Sequence, residues 1–347
     1  MEVRDEAQVG AARRGVHAYA RGVGFTEREL AELDIVVQEI GTNAVRYATG
    51  GGWLHFTAPP GAEPGIEIFY WDKGPGIHDI DRAVRDGVST GGGLGAGMGT
   101  IRRLMDEFDV YSTVKTPRAI RGSSSLQPSR RTTHGTALLG RKWVAAARLS
   151  EQNHASTARR IGSWSRPRPG EDANGDGYFV RRRGSQMLLS VVDGLGHGYG
   201  AAEATRVALE VLGEWQGGDL EKLFRDAHER LRPTRGVVMG ACVIDAARST
   251  FSYAGVGNTE VRVFGSEQPI RPIPVNGTLG ARLGTMRVWN YAWSEGATIV
   301  MTSDGVSATW DIGDYPGLLA KSPQLLAGVL ARDFGRDSDD LTVLVAR

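Results

Sequence analysis

Acidic residues that follow short apolar runs recur in the second half of this chain. Residues 191–194 (VVDG) and 301–305 (MTSDG) each end such a run in an Asp-Gly turn. A similar turn occupies 174–177 (NGDG), and two aspartates stand together at 339–340. A strand that delivers a carboxylate into a tight glycine turn holds it where hard cations bind. An Asx turn after a strand explains any one of these motifs, but four together favour a metal site.

These turns could supply the ligands for two divalent ions. Asp193 offers a carboxylate and Gly194 a backbone carbonyl, and the other carboxylates are those of Asp176, Asp304 and Asp339. Oxygen ligands favour Mg²⁺ or Mn²⁺ over zinc. Paired ions lower the pKa of a bridging water and stabilise charge on a phosphate. The pattern therefore predicts hydrolysis of a phosphate ester.

The first half of the chain carries residues suited to ATP. Glu39 and Asn43 are four residues apart, so they project from one face of a helix, where Asn43 suits Mg²⁺ and Glu39 suits a proton acceptor. A polar helix face is an equally acceptable explanation of this pair. Residues 72–77 (DKGPGI) place Asp72 where it can accept a hydrogen bond from an adenine amine. The glycine-rich stretch 91–99 opens a helix whose amides suit phosphate, without the ending of a Walker site.

Apolar periodicity predicts the elements that position these residues. In the first half we expect a helix at 27–47 capped by Thr26, a strand at 66–71, a helix at 100–108 and strands at 110–114 and 135–143. In the second half we expect helices at 201–215 and 220–231. We place the domain junction at 145–160, between domains at 1–144 and 161–347, and interpret 116–133 as a long exposed loop or lid.

Composition sets bounds on the class of protein. The chain has 347 residues, room for about two domains, with 41% apolar and 23% charged residues. Its net charge of +1 favours neither nucleic acid nor an acidic membrane as a partner. No apolar run approaches the roughly 20 residues of a membrane span, and the start lacks a secretion signal. We therefore expect a cytoplasmic protein, with Cys242 as a buried core residue rather than a reactive thiol.

The N-terminal motifs resemble the GHKL ATPase superfamily, and within it the RsbT-type switch kinases of partner-switching systems. The resemblance rests on 38–48 (QEIGTNAVRYA), 72–77, 103–108 (RLMDEF) and the ends of 135–143. It implies an α/β sandwich with helices on one face of a mixed sheet, and transfer of phosphate from MgATP to Ser or Thr. Glu39 would act as base, and the ATP-binding residues would be Asn43 (through Mg²⁺), Asp72, Gly74, Gly76, Gly93, Gly95, Gly97 and Thr136.

The C-terminal motifs resemble the metal-dependent protein phosphatases (PPM superfamily), in the SpoIIE and RsbX branch. They are 191–198 (VVDGLGHG), 302–306 (TSDGV), 339–343 (DDLTV) and the turn at Asp176. The resemblance implies an α-β-β-α sandwich, two Mn²⁺ or Mg²⁺ ions, and Asp339 rather than Asp340 as a ligand. His197 is either a general acid or a loop histidine bonded to its own turn. No phosphate-gripping arginine is identified.

The two resemblances together imply a fused switch kinase and phosphatase of bacterial stress signalling. Its substrate would be a STAS-domain protein, either a stressosome scaffold or an anti-anti-sigma factor, and a homodimer remains open. One alternative is a phosphatase whose N-terminal half only senses nucleotide or binds a partner; Glu39 counts against it, because a binding module needs no base. A third hypothesis is an RsbW-type kinase that binds a sigma factor directly. It is weaker, because the RLMDEF motif and the end of the 135–143 motif favour the switch-kinase branch.

Overall fold

The structure is a computed structural model that describes residues 1–48, 50–59, 64–85, 97–114, 134–145 and 160–347. The chain divides into two compact units. One comprises Met1–Arg159 and Asp311–Leu325, and the other Arg160–Trp310 and Leu326–Arg347. The predicted insertion at 116–133 and nearly all of the predicted junction at 145–160 lie outside the described residues. None of the helices within the described ranges is long and apolar enough to cross a membrane.

The first unit is built on a five-stranded sheet. Its helices and strands are β1 (Glu2–Val3), α1 (Glu6–Val23), α2 (Glu27–Tyr47), β2 (Gly52–Thr57), β3 (Gly65–Asp72), α3 (Ile80–Ala83), α4 (Gly97–Leu104), β4 (Glu107–Thr113) and β5 (Gly135–Trp143). The strand order is β1-β2-β3-β5-β4. Apolar residues of α1, α2 and α4 share one core with the sheet, so the expected sandwich is confirmed. Each described pairing is antiparallel, which refines the expectation of a mixed sheet.

Helix α2 confirms the predicted helix at 27–47 and its cap. The Thr26 hydroxyl accepts from the Glu29 amide at 3.4 Å, and the Glu29 carboxylate accepts from the Thr26 amide at 2.9 Å. Such a cap stabilises a helix by about 1 kcal/mol. Leu33, Val37 and Ile40 bury the apolar face against the sheet. The packing of this face fixes the rotation of the helix, and with it the direction of Glu39 and Asn43.

One local prediction in this unit needs correction, and one helix was missed. The predicted helix at 100–108 ends at Leu104, and the next strand already begins at Glu107. The cause is tertiary: the Asp106 amide donates to the carbonyl of Arg141 at 2.9 Å, and Glu107 lies 3.1 Å from the Arg141 guanidinium. Helix α1 was not predicted, although Asp5 caps it and its small apolar residues recur at helical spacing.

The second unit contains two stacked antiparallel sheets with helices. Its elements are β6 (Ile161–Arg166), β7 (Asp176–Arg183), β8 (Gln186–Gly194), α5 (Tyr199–Gly213), α6 (Leu220–Leu231), β9 (Val237–Asp245), β10 (Thr250–Val256), β11 (Glu260–Phe264), β12 (Gly277–Thr278), β13 (Arg282–Leu283), β14 (Trp289–Ala292), β15 (Thr298–Thr302), α7 (Pro323–Phe334, which crosses into the first unit) and β16 (Leu341–Ala346). The main sheets have the orders β14-β10-β9-β8-β7 and β11-β15-β16-β6. The expected sandwich is confirmed. The predicted helix at 201–215 starts and ends two residues earlier, and the helix at 220–231 matches α6.

The core between these sheets sets the direction of the strand ends. Leu189 and Val191 of β8 meet Met301 of β15 and Leu344 of β16 in one buried cluster. Helices α5 and α6 cover the opposite face of the β8 sheet. Cys242 is fully buried in the inter-sheet cluster, as predicted. Because both sheets are locked by this packing, the residues just beyond β8 and β15 have fixed positions.

Candidate functional site

Three of the four predicted metal-binding aspartates line one cavity in the second unit. Asp176 begins β7 and is the cross-strand neighbour of Asp193 near the end of β8. Asp304 follows β15 and Asp339 precedes β16, and these strands pair antiparallel, so the two residues share a sheet edge. Asp193, Asp304 and Asp339 line a cavity of about 450 Å³. Asp176 is buried beside them.

The electrostatics of this cluster indicate carboxylates that lack neutralising charge. Burial raises the pKa of Asp193 to about 9, and the carboxylates of Asp176 and Asp304 add to that rise. Burial likewise raises the pKa of Asp176 to about 7, against the opposing effect of a hydrogen bond with Ser303. Burial and Asp304 raise the pKa of Asp339 as well. Mutual repulsion of this kind is relieved by bound cations.

The geometry of this cluster matches part of what metal ions require. Within the described ranges, no three His, Cys, Asp or Glu side chains are grouped closely enough to form a complete metal-binding set. The carboxylates thus share a cavity without surrounding a single point. Nevertheless, the buried Oδ2 of Asp176 has no hydrogen-bond partner among the described residues. An orphaned buried oxygen beside like charges fits hard divalent cations, whose ligands are oxygen atoms.

Glycines bring the backbone segments of this site into close contact. A Cβ on Gly305 would lie 1.8 Å from the carbonyl oxygen of Asp340, and one on Gly194 would lie 2.4 Å from that of Ala201. No side chain fits in either gap. The glycines of these Asp-Gly pairs are therefore required by the packing of the turns.

Two further residues hold the aspartates in position. The Asp340 carboxylate accepts from the amides of Arg168 at 2.8 Å and Gly175 at 3.0 Å, which fixes the loop that carries Asp176. Asp340 thus contacts backbone amides, and its neighbour Asp339 faces the cavity. Asn258, which sequence reasoning missed, donates to Asp304 Oδ2 at 2.8 Å. Its only signal in the sequence was a polar Gly-Asn turn after a strand.

His197 lines the same cavity. Its Nδ1 donates to Glu171 Oε1 at 2.7 Å, so the ring is bonded to a distant loop rather than to its own turn. The predicted alternative of a self-bonded loop histidine is therefore wrong. Glu171 was also missed, because nothing in the sequence relates it to a residue so far along the chain. A carboxylate that orients an imidazole is a common arrangement for a proton donor or acceptor.

In the first unit, Asp72 is a buried carboxylate at the end of β3. Its Oδ1 accepts from the amides of Gly74 at 2.7 Å and Thr136 at 3.2 Å. The Thr136 hydroxyl bonds that of Ser112 at 3.0 Å. Two backbone donors on one oxygen fix the plane of the carboxylate, which is what recognition of a flat ring requires.

The turn after Asp72 is closed against the neighbouring strands. Gly76 has φ +80°, and a Cβ there would lie 2.1 Å from the carbonyl oxygen of Thr113. The carbonyl of Gly74 accepts from His134 Nδ1 at 2.6 Å. The predicted glycines are thus positions of close backbone approach, beside the carboxylate predicted to bind adenine.

Glu39 and Asn43 meet the start of α4. A Cβ on Gly97 would lie 3.5 Å from Glu39 Oε2 and 3.6 Å from Asn43 Nδ2. The Glu39 and Asn43 pair on its helix face and Gly97 in the glycine-rich stretch, which were predicted from separate motifs, are therefore neighbours. Gly93 and Gly95 lie outside the described residues, and their role stays a prediction.

Comparisons with known proteins agree with this division of the chain. The model of the histidine kinase-like ATPase domain (HATPase_c_2) matches residues 3–120, and that of stage II sporulation protein E (SpoIIE) matches residues 183–347. The serine/threonine-protein kinase RsbT of Bacillus subtilis (strain 168) is 35% identical over 112 residues, which are 32% of this chain and 84% of RsbT. The phosphoserine phosphatase RsbX of the same organism is 22% identical over 139 residues, 40% of this chain and 70% of RsbX.

One solved structure extends these similarities. It comes from work on "The bacterial stressosome: a modular system that has been adapted to control secondary messenger signaling", and it is 30% identical with a TM-score of 0.51. The match covers 54% of this chain and 98% of that one. Fold and sites thus define a two-domain protein that joins a histidine kinase-like ATPase domain to a SpoIIE-type PPM phosphatase domain. Through its N-terminal domain the chain belongs to the RsbT family of partner-switching proteins, and its C-terminal domain is similar to RsbX.

Proposed function

We propose that this protein is a bifunctional partner-switching regulator of bacterial stress signalling. Its N-terminal half phosphorylates Ser or Thr of a STAS-domain protein with ATP, and its C-terminal half removes phosphate from phosphoserine or phosphothreonine. The observation that carries the proposal is the cavity lined by Asp193, Asp304 and Asp339, whose repulsion calls for cations. The functional division is 1–144 for the kinase, 145–160 for the linker and 161–347 for the phosphatase.

The phosphatase half uses residues whose tasks follow from their contacts. The ligands of two Mn²⁺ or Mg²⁺ ions are the carboxylates of Asp176, Asp193, Asp304 and Asp339 and the carbonyl of Gly194. When bound, the ions supply positive charge to the phosphate and a water of lowered pKa. Asn258 keeps Asp304 in place through its hydrogen bond. His197, oriented by Glu171, donates a proton to the serine or threonine oxygen that leaves.

The kinase half uses the pocket around Asp72 and α2. Asp72 accepts from the adenine amine, and Gly74, Gly76, Gly93, Gly95, Gly97 and Thr136 line the nucleotide. Asn43 holds the Mg²⁺ of ATP, which when bound neutralises phosphate charge. Glu39 accepts the proton of the attacking hydroxyl. The proximity of Glu39, Asn43 and the start of α4 supports this assignment.

The choice of partner rests on the relatives. Similarity to RsbT and to the stressosome structure supports a STAS-domain substrate, either a stressosome scaffold or an anti-anti-sigma type. A protein that uses ATP and acts on such a partner belongs in the cytoplasm, and we therefore propose that location. The near-neutral net charge of +1 gives no reason to expect nucleic acid or a membrane surface as a partner. A homodimer is compatible with the proposal.

Transfer of labelled γ-phosphate to a STAS protein tests the kinase half. We expect Glu39→Ala to slow transfer by about 10²- to 10⁴-fold, the usual contribution of a general base. The matched control is Gln38→Ala, because Gln38 is the exposed neighbour that bonds Thr42 at 3.3 Å on the same helix. Equal transfer by wild type and Glu39→Ala would refute the kinase assignment. The N-terminal half would then be a nucleotide sensor or partner-binding module joined to a phosphatase.

A further inference from the structure

Arg235 lies beside Gly196, at the edge of the carboxylate cavity. It stands in the turn between α6 and β9, and its side chain is exposed. Its Nη1 lies 3.5 Å from the position of a Cβ on Gly196, a residue that lines the cavity. No residue in the described part of the chain gives its guanidinium a hydrogen bond or an ion pair. A guanidinium without an intramolecular partner keeps its donors available for an anionic ligand.

The backbone of Arg235 is fixed by its neighbours. The Thr234 hydroxyl donates to the carbonyl of Leu231 at 2.7 Å and accepts from the Gly236 amide at 3.0 Å. The Gly236 carbonyl accepts from the Leu195 amide at 3.1 Å. These bonds tie the turn both to the end of α6 and to the loop that follows Asp193. The arginine is therefore held at the cavity rather than on a loose loop.

The guanidinium also lies against the start of α5. A Cβ on Gly200 would lie 2.5 Å from both Cζ and Nε of Arg235. Among the described residues, no side chain caps this helix at Gly198. A helix N-terminus carries partial positive charge, so it repels a guanidinium unless an anion lies between them. Glu171 is near this end of the helix, but its carboxylate bonds His197.

We propose that Arg235 and the first turn of α5 bind the phosphoryl group of the phosphoserine or phosphothreonine that enters the cavity. This assignment rests on the proposed phosphatase function. The planar fork of arginine matches two phosphate oxygens, and the helix amides match the third. The bound anion would satisfy two positive groups that otherwise repel each other. It would also offset the repulsion between a phosphate and the cavity carboxylates.

The surroundings of Arg235 favour a protein segment as the carrier of that phosphate. Leu195, which lines the cavity, is 40% exposed, and Tyr199 at the start of α5 is 77% exposed. Each is the chain neighbour of a residue that contacts Arg235 or its turn. Exposed apolar side chains around an anion site suit a phosphorylated segment better than a small phosphate ester.

Steady-state kinetics on a phosphoserine peptide with Mn²⁺ test the assignment. We expect Arg235→Ala to raise KM about tenfold or more at nearly unchanged kcat, since the contact exists before and during reaction. The KM of Arg235→Lys should lie between those of the wild type and Arg235→Ala, because lysine keeps the positive charge but lacks the planar fork of the guanidinium. Arg232→Ala is the matched control. Arg232 is exposed, caps the C-terminus of α6 three residues before Arg235, and pairs with Glu229 at 2.8 Å. Uptake of Mn²⁺ alone, measured by calorimetry, should be equal in all four proteins.

The outcomes separate this proposal from the one on which it rests. The same KM for Arg235→Ala and Arg232→Ala would overturn the assignment, and so would impaired Mn²⁺ uptake by Arg235→Ala. If the wild type releases no phosphate, the phosphatase proposal fails instead. Arg235 is then judged by binding of the same peptide to wild type and Arg235→Ala in Mn²⁺. Equal affinity overturns its role, and a roughly tenfold loss supports it.

Discussion

Asp72 and Asp176 are buried carboxylates at strand ends, yet their surroundings differ. One oxygen of Asp72 accepts two backbone amides from Gly74 and Thr136. Asp176 has a buried oxygen without a partner among the described residues, and burial raises its pKa to about 7. The first site already carries the hydrogen bonds that orient its carboxylate. The second is electrostatically incomplete, so cations have more to contribute there.

This contrast separates two ways of building a site. The Asp72 pocket is shaped by backbone contacts that leave room only for glycine, so it depends on exact geometry. The aspartate cavity depends on charge, because its members repel each other until a cation binds. Substitutions that keep shape and remove charge should therefore affect the second site most. Substitutions that add a single carbon should affect the first.

The largest effect is expected from Asp193→Asn, which keeps shape and removes one charge. We expect Mn²⁺-dependent phosphate release from the phosphorylated STAS protein to fall by at least about a hundredfold, because even outer partners of metal ligands are worth 10- to 100-fold. Asp172→Asn, at an exposed aspartate of the nearby loop, is the control. Activity retained in Asp193→Asn would remove the metal interpretation of the cavity.

Adding one carbon to the turn after Asp72 should destabilise the proposed nucleotide pocket. In Gly76→Ala the new Cβ meets the Thr113 carbonyl at 2.1 Å, at a φ of +80°. We expect a loss of about 1–3 kcal/mol in the free energy of unfolding, measured with urea. Gly97→Ala is the control, since its nearest atom is 3.5 Å away. If both variants are equally stable, the glycines are not positions of close approach.

A smaller effect is expected at the residue that holds the Asp176 loop. Asp340→Asn replaces one acceptor of the Arg168 and Gly175 amides by a donor. Mn²⁺ affinity, measured by calorimetry, should weaken by about tenfold. Asp337→Asn, at an 89% exposed side chain, should leave affinity unchanged. Equal affinities in the two variants would mean that Asp340 does not position the site.

A last prediction is a pH dependence of stability that belongs to the second site alone. Asp193 has a folded pKa of about 9 and Asp176 of about 7, while unfolded aspartate titrates near about 3.9. The folded metal-free protein thus retains protons that the unfolded chain releases, so its stability should fall as pH rises from about 4 to about 9. Thermal unfolding in a chelator should record this slope, and Mn²⁺ or Asp193→Asn should reduce it. A flat profile would contradict the raised pKa values.

Local patterns in the sequence predicted much of the fold, and they indicated several residues that the structure brings together in the candidate sites. Helix α2 was predictable because its cap and apolar stripe involve residues a few positions apart. Helix α4 was extended too far because pairing of Glu107 with Arg141 on a distant strand overrides the helical pattern. Asn258 and Glu171 were missed for the same reason. Each contacts its partner across a long stretch of chain, and neither lies in a motif.

The sequence by itself determined which carboxylates and glycines stand at strand ends, since that information lies in short runs of residues. It also determined the resemblance to a kinase and a phosphatase. Only the tertiary structure decided that Asp193, Asp304 and Asp339 share a cavity and that Arg235 lies beside Gly196 at its edge. Burial and repulsion depend on distances through space between residues that are remote along the chain. The pKa of a carboxylate and the availability of a guanidinium therefore arise only once the sheets have packed.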